Sequence, residues 1–194
     1  MRNPLYSLLG LILLIVCGSC APSMQNTKDT SDAASEVPWD SCSYSIGDHP
    51  CNFKLTNQHG EVVNLYDFYG HTIVVDFSAM WCGPCASAAS EVQGVKDKLE
   101  DKGFTYLTVL IENSIGEPPS VEDCARWAEI YGISEPVLAG DRSLIDPTGT
   151  NGWGLTSWPT FFFITEDMII HSTLKGFNSA YIDLLILEAM QEGS

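Results

Sequence analysis

Ile73-Val74-Val75-Asp76-Phe77 is an apolar run broken by a single acid, and Trp81-Cys82-Gly83-Pro84-Cys85 begins four residues after it. An unbroken run of this kind reads as a strand buried on both faces. Two cysteines three apart fall on one turn of a helix. The chain must therefore pass directly from a central strand into a helix whose first turn carries both sulfurs. Cys82 then sits at the helix N-terminus, where unpaired backbone N–H groups and the helix dipole favour a thiolate. The thiolate is the form that attacks disulfides, and Cys85 is near enough to close a disulfide with Cys82. The competing use of such a pair is half of a structural zinc site, which needs a second pair of ligands at short spacing. Cys42, Cys51, Cys124, His49, His59, His71 and His171 form no such pair. Redox chemistry is expected, with no metal and no other cofactor.

The surrounding residues carry a resemblance. Val75-Asp76-Phe77-Ser78-Ala79-Met80-Trp81-Cys82-Gly83-Pro84-Cys85 resembles the strand-to-active-site segment of the thioredoxin superfamily. Ser157-Trp158-Pro159-Thr160-Phe161-Phe162-Phe163-Ile164 resembles its cis-proline and the strand that follows. The likeness spans roughly residues 42–194. It is strongest to the extracytoplasmic TlpA/ResA-like group, whose N-terminal hairpin is similar to Ile46-Gly47-Asp48 and Phe53-Lys54-Leu55 followed by Gly60-Glu61-Val62-Val63-Asn64-Leu65. It implies a thioredoxin-like three-layer α/β sandwich, a mixed central sheet flanked by helices, with an N-terminal β-hairpin extension. Some positions depart from the family pattern: Ser78 for a tryptophan, Ala88 for an active-site glutamate, Ser90 for a proline that kinks the helix, Trp158 for a smaller residue. The run Phe104 to Ile111 also lacks the lysine that partners the buried acid in thioredoxins.

The chain has 194 residues, enough for one ordinary domain and a leader. Residues 1–19 read as a signal peptide: Arg2 gives a positive start, and Leu8 to Val16 is apolar but short for a membrane span. A retained anchor is the competing reading. Gly18-Ser19-Cys20 resembles a lipoprotein processing site that would lipidate Cys20, although Cys17 stands where an aliphatic residue is usual. Cleavage after Ala21 is the alternative. Residues 20–41 are rich in Ser, Thr, Asp and Ala and read as a flexible tether. The expected address is extracytoplasmic, at the cell envelope, with a lipid anchor. A net charge of −16 excludes nucleic acid as a natural partner, because phosphate binding needs Lys/Arg patches.

Within the domain at 42–194, Phe53 to Thr56 and Val62 to Leu65 read as a hairpin. The periodicity predicts a helix from Cys82 to Lys102, with Cys85, Ala88, Val92, Val95 and Leu99 facing the sheet. A buried strand follows from Phe104 to Ile111. Ser120 is a candidate cap for a helix to Tyr131, and Pro136 to Ala139 is a short strand or loop. Gly140 to Gly154 is turn-rich. Thr160 to Thr165 and Ile169 to Leu174 make a second hairpin, and Asn178 caps a last helix to Met190. Strand–helix alternation closing on a hairpin and a helix independently reads as an α/β sandwich.

The chemistry expected is thiol–disulfide exchange. Cys82 is the nucleophile that attacks a partner disulfide, and Cys85 resolves the mixed disulfide. The resemblance assigns Asp76 as the base for Cys85, and burial among Val74, Val75 and Phe77 raises a carboxyl's pKa so that it takes a proton near neutral pH. Trp81, Gly83, Pro84, Trp158 and Pro159 form the substrate surface. A cis Pro159 brings the Trp158 backbone beside the cysteines, where an extended segment can pair. Gly-Pro is the dipeptide of thioredoxin, a reductant at about −270 mV. The expected direction is therefore reduction of disulfide-containing proteins, with electrons from a membrane thiol donor. Cys42 and Cys51 are a structural disulfide or a second redox pair. Cys124 is a buried hydrophobe or a thiol that joins exchange. Two rivals are a copper-binding chaperone using both active-site cysteines with His171, and a peroxiredoxin, whose Thr-x-x-Cys pattern would need Thr where Ala79 stands.

Overall fold

The computed structural model describes residues 37–193. The leader at 1–19, the lipidation position Cys20 and the tether up to residue 36 lie outside the described residues. The sheet has seven strands: β1 (Lys54–Asn57), β2 (Val62–Asn64), β3 (Thr72–Ala79), β4 (Phe104–Glu112), β5 (Val137–Ala139), β6 (Thr160–Ile164) and β7 (Ile170–Lys175). Their order across the sheet is β2-β1-β5-β4-β3-β6-β7. β3, β4 and β5 run parallel, and the remaining pairs are antiparallel. The helices are α1 (Gly83–Leu99), α2 (Val121–Tyr131) and α3 (Ser179–Glu192). This is the mixed-sheet α/β sandwich with an N-terminal hairpin that the sequence implied. No helix among the described residues is long and apolar enough to cross a membrane.

Alternation along the central strands divides the interior in two. Val74 of β3, Tyr106 and Leu110 of β4, and Phe161 and Phe163 of β6 face one side, packed with residues from all three helices. Val75 and Phe77, Leu107 and Val109, and Phe162 and Ile164 face the other. Among the described residues no α-helix supplies that second layer. Phe53, Leu65, Trp153, Leu155 and Met168 fill it from the hairpin, turns and loops. Trp153 lies against Phe77 and Phe162, with ring centroids 5.1 and 4.7 Å away. Every residue of β3 and β4 is buried, and each fully buried Val, Leu, Ile or Phe contributes about 1.5–3 kcal/mol.

The helix that carries Cys85 differs at both ends from the predicted Cys82–Lys102. Cys82 is the cap rather than the first helical residue. Its carbonyl accepts the Ala86 N–H at 3.1 Å. At the other end, Glu100–Lys102 tighten into a 3-10 turn, and Gly103 takes the left-handed conformation (φ 63°) that stops the chain from continuing as helix. Ser120 and Asn178 cap α2 and α3 as the sequence indicated, accepting the N–H groups of Asp123 and Tyr181. Trp39, which composition placed in the tether, stacks on His49 at 4.0 Å and meets Tyr66 and Tyr69 edge-on. The packed chain thus starts before Cys42.

Candidate functional site

β3 delivers the site. Its last residue, Ala79, accepts the Cys82 N–H at 3.1 Å, so strand and helix are joined by a single tight turn. Cys82 and Cys85 are linked by a disulfide. The Cys85 backbone N–H also points at Cys82 Sγ, 3.2 Å away. That N–H is one of the unpaired donors of the first helical turn, and Pro84, lacking a donor, sits where its absence costs nothing. The two sulfurs are unequal: Cys82 is 6% exposed and Cys85 0%. Trp81, Gly83 and Pro84 around them are exposed. Cys82 keeps a small exposed surface, while Cys85 has none and meets Cys82 through the disulfide.

Asp76 lies on the α1 side of β3, on the same face as Val74, and is 1% exposed. Burial raises its carboxyl pKa from 3.8 to about 7, opposed by hydrogen bonds to the charged form from Ser78 and then Tyr106. Ser78 Oγ donates to Oδ1 at 2.7 Å and the Tyr106 hydroxyl to Oδ2 at 3.3 Å. Burial and the neighbouring Asp76 carboxylate both push the Tyr106 pKa well above its usual value, so it stays a donor. Neither partner was singled out from sequence. Ser78 was noted only as a departure from the family pattern, yet a serine two residues from an acid on a strand shares its face. Tyr106 carried no local signal, because its alignment comes from the β3–β4 register, in which it stands beside Val74. Thr108, in register with Asp76, keeps a buried hydroxyl without a partner among the described residues.

A second group missed by sequence reasoning surrounds Trp81. The indole N–H of Trp81, itself 52% exposed, donates to Glu112 Oε2 at 2.8 Å. The Arg142 guanidinium grips Glu112 Oε1 from the other side. The signal available was a carboxylate closing the buried strand β4, beside the turn that carries the cysteines.

The Trp158–Pro159 bond is cis. Pro159 is buried and its carbonyl accepts the Gly176 N–H at 2.8 Å. Trp158 is half-buried and packs against both interior layers, including the one that holds Cys82 and Cys85. Cys42 and Cys51 are also joined by a disulfide. Cys124 is buried and free, and burial pushes its thiol up to about 12. The copper reading needs His171 near the active-site cysteines. His171 lies instead on the edge strand β7, with Nδ1 2.7 Å from Glu192 Oε2. Among the described residues no three His, Cys, Asp or Glu side chains cluster to hold a metal ion.

Comparison with known proteins bears on this geometry. Residues 46–173 match the AhpC/TSA family. The chain is 23% identical over 170 residues to the thioredoxin-like protein YneN of Bacillus subtilis, covering 87% of this chain and 89% of that one. It is 24% identical over 168 residues to the thiol-disulfide oxidoreductase ResA of Bacillus thuringiensis, covering 86% and 85%. Among solved structures, the thiol:disulfide interchange protein DsbE of Chlorobium tepidum superposes with a TM-score of 0.62 at 27% identity, covering 76% of this chain and 99% of that one. The exposed lipoprotein thioredoxin Etrx1 of Streptococcus pneumoniae gives 0.55 at 26%, covering 70% and 98%.

Proposed function

The chain belongs to the AhpC/TSA family and is a TlpA/ResA-like thiol–disulfide oxidoreductase of the thioredoxin superfamily, and from that premise we propose that it reduces protein disulfides outside the cytoplasm through Cys82 and Cys85. The observation that carries this reading is the unequal pair at the start of α1: a reachable Cys82 whose sulfur receives a backbone N–H, bonded to an unreachable Cys85.

In the reduced protein the Cys82 thiolate attacks one sulfur of a partner disulfide. That S–S bond breaks, one partner sulfur leaves as a thiolate, and a mixed disulfide with Cys82 forms. Cys85 gives its proton to the Asp76 carboxylate and attacks Cys82 Sγ, expelling the second partner thiolate. Two electrons have passed to the partner, and the Cys82–Cys85 disulfide of the structure is the product. A membrane thiol donor then reduces it. Trp81, Gly83, Pro84, Trp158 and Pro159 make the contact surface. The extracytoplasmic address is supported by the apolar leader, by Gly18-Ser19-Cys20 as a site for lipid anchoring, and by the Cys42–Cys51 disulfide, a bond that oxidising compartments sustain. A peroxidase reading lacks its threonine: Ala79, wholly buried, stands three residues before Cys82.

Trapping tests the proposal. Cys85→Ser is expected to hold partners on Cys82 as mixed disulfides that dithiothreitol releases, detected by mass spectrometry of envelope fractions. Cys82→Ser is expected to trap none. Equal trapping by both variants, or by neither, overturns the assignment.

A further inference from the structure

We propose that the groove beside Pro159 selects partner segments that carry an acidic side chain next to an apolar one, with Arg142 reading the carboxylate. This rests on the exchange reading above and specifies its substrate class.

The sheet register gathers the groove and the disulfide at one rim. Phe77 is opposite Thr160, Thr160 opposite Lys175, and Ala79 opposite Glu112. The ends of β3 and β4, the start of β6 and the end of β7 therefore share an edge, and Cys82 lies just beyond it. A cavity of about 420 Å³ opens there, walled by Ile145, Pro147, Leu155 and Trp158, and Arg142 is its only charged lining residue. Its floor is the chain before the cis bond. Within the described residues the main-chain N–H groups of Thr156, Ser157 and Trp158 donate to nothing, which leaves an open edge for an extended segment.

The charge pattern fixes what that segment carries. The chain has 9 Lys and Arg against 25 Asp and Glu, so a cation at a given place is unusual. Two stand at this rim, Arg142 in the cavity wall and Lys175, whose ammonium donates to Thr156 Oγ1 at 3.0 Å. Glu112 holds one edge of the Arg142 guanidinium from inside, while the side chain remains 69% exposed. A guanidinium fixed on one edge and open on the other offers planar donors to a second carboxylate with little further ordering. The surface as a whole repels acidic partners, and the positive groups this rim presents are the open edge of the Glu112-paired Arg142 and Lys175. Next to the carboxylate, Ile145, Pro147, Leu155 and Trp158 offer the apolar wall that an adjacent Leu or Phe would cover.

The test uses the reduced full chain and three disulfide-linked peptide dimers, identical except for Glu, Gln or Lys two residues after the cysteine, with Leu between. The Glu peptide is expected to exceed the Gln peptide about fivefold in kcat/KM at low salt, the most an exposed ion pair usually gives, and the Lys peptide to fall below both. Added salt is expected to shrink the differences. Arg142→Gln is expected to equalise Glu and Gln. Because that change leaves a buried carboxylate with the Trp81 N–H but no opposite charge, Glu112→Gln with Arg142→Gln serves where the single variant does not fold. Equal rates for the three peptides, a preference for Lys, or a Glu preference that survives in these variants overturns the proposal. Uncharged 2-hydroxyethyl disulfide separates the two failures. Its reduction with no peptide preference sinks only the specificity, and no reduction of it sinks the exchange reading as well.

Discussion

Cys42–Cys51 lies at the surface, Cys42 exposed and Cys51 half-buried, whereas both cysteines of the Cys82–Cys85 bridge are buried. Exposure alone would pick Cys42–Cys51 as the reactive pair, the opposite of the proposed assignment. Cys42 and Cys51 are nine apart in irregular chain, and the loop between them is tied down: Gly47 N–H donates to Ile170 O at 2.8 Å, Ile170 N–H to Asp48 O at 3.0 Å, and His49 Nδ1 to Met168 O at 2.7 Å. Breaking this bridge frees a loop. Breaking the other is expected to leave a thiolate at a helix N-terminus under a backbone N–H, with buried Asp76 on the same side of the sheet as α1. Reactivity follows from what stabilises the leaving sulfur and receives the proton.

The largest expected effect removes the base. Asp76→Asn is expected to slow resolution of the mixed disulfide at pH 7 by about a hundredfold or more, the usual worth of general base catalysis, in a quenched-flow measurement. A wild-type rate would mean that the buried acid is not what separates the two bridges. The same variant has a stability signature in the oxidised protein. Because burial raises the folded pKa of Asp76 to about 7, above the 3.8 of an unperturbed carboxyl, the native state holds a proton that the unfolded chain releases. That contribution is complete below the unfolded value, declines as pH rises toward about 7 and is gone above it, with a slope of at most about 1.4 kcal/mol per pH unit. Asp76→Asn is expected to remove this slope and to be the more stable protein at pH 8 in urea unfolding.

The second effect is purely structural. Cys42→Ser with Cys51→Ser is expected to cost about 2–3 kcal/mol in urea unfolding, as chain entropy predicts for a loop of this size. The rate of disulfide exchange is expected to stay unchanged. A large loss of exchange without unfolding would make Cys42–Cys51 a second redox pair and dissolve the contrast.

What was readable from sequence follows a physical line. The strand entering Cys82, the caps Ser120 and Asn178 and the inward stripe of α1 are written in neighbours a few residues apart, where periodicity and backbone capping act. Tyr106, Glu112 and Arg142 act across strands and loops, thirty or so residues from their partners Asp76, Trp81 and Glu112. Such contacts are set by the register of β3 on β4 and by where the turns after β3 and β5 fall, which no local pattern encodes. The second interior layer was hidden for a related reason: Trp153 lies in the stretch read only as turn-rich and Leu155 just beyond it, yet both cover the sheet face to which no α-helix among the described residues contributes.

Ser78 gives the smallest and most selective test. Its hydroxyl, 2.7 Å from Asp76 Oδ1, stabilises the carboxylate and so restrains the rise in pKa that burial causes. Ser78→Ala removes that donor and leaves only the longer bond from Tyr106. The half-maximal pH for resolving the mixed disulfide is then expected to move up by about one to two units, the size of one hydrogen bond to a charged group. Ser78→Thr, which keeps the hydroxyl and suits a buried strand, is expected to restore the midpoint. A purely structural role for Ser78 would lower the rate at every pH and leave the midpoint in place. An unmoved midpoint in Ser78→Ala would therefore show that the titrating group behind the reactive bridge is not the acid this hydroxyl touches.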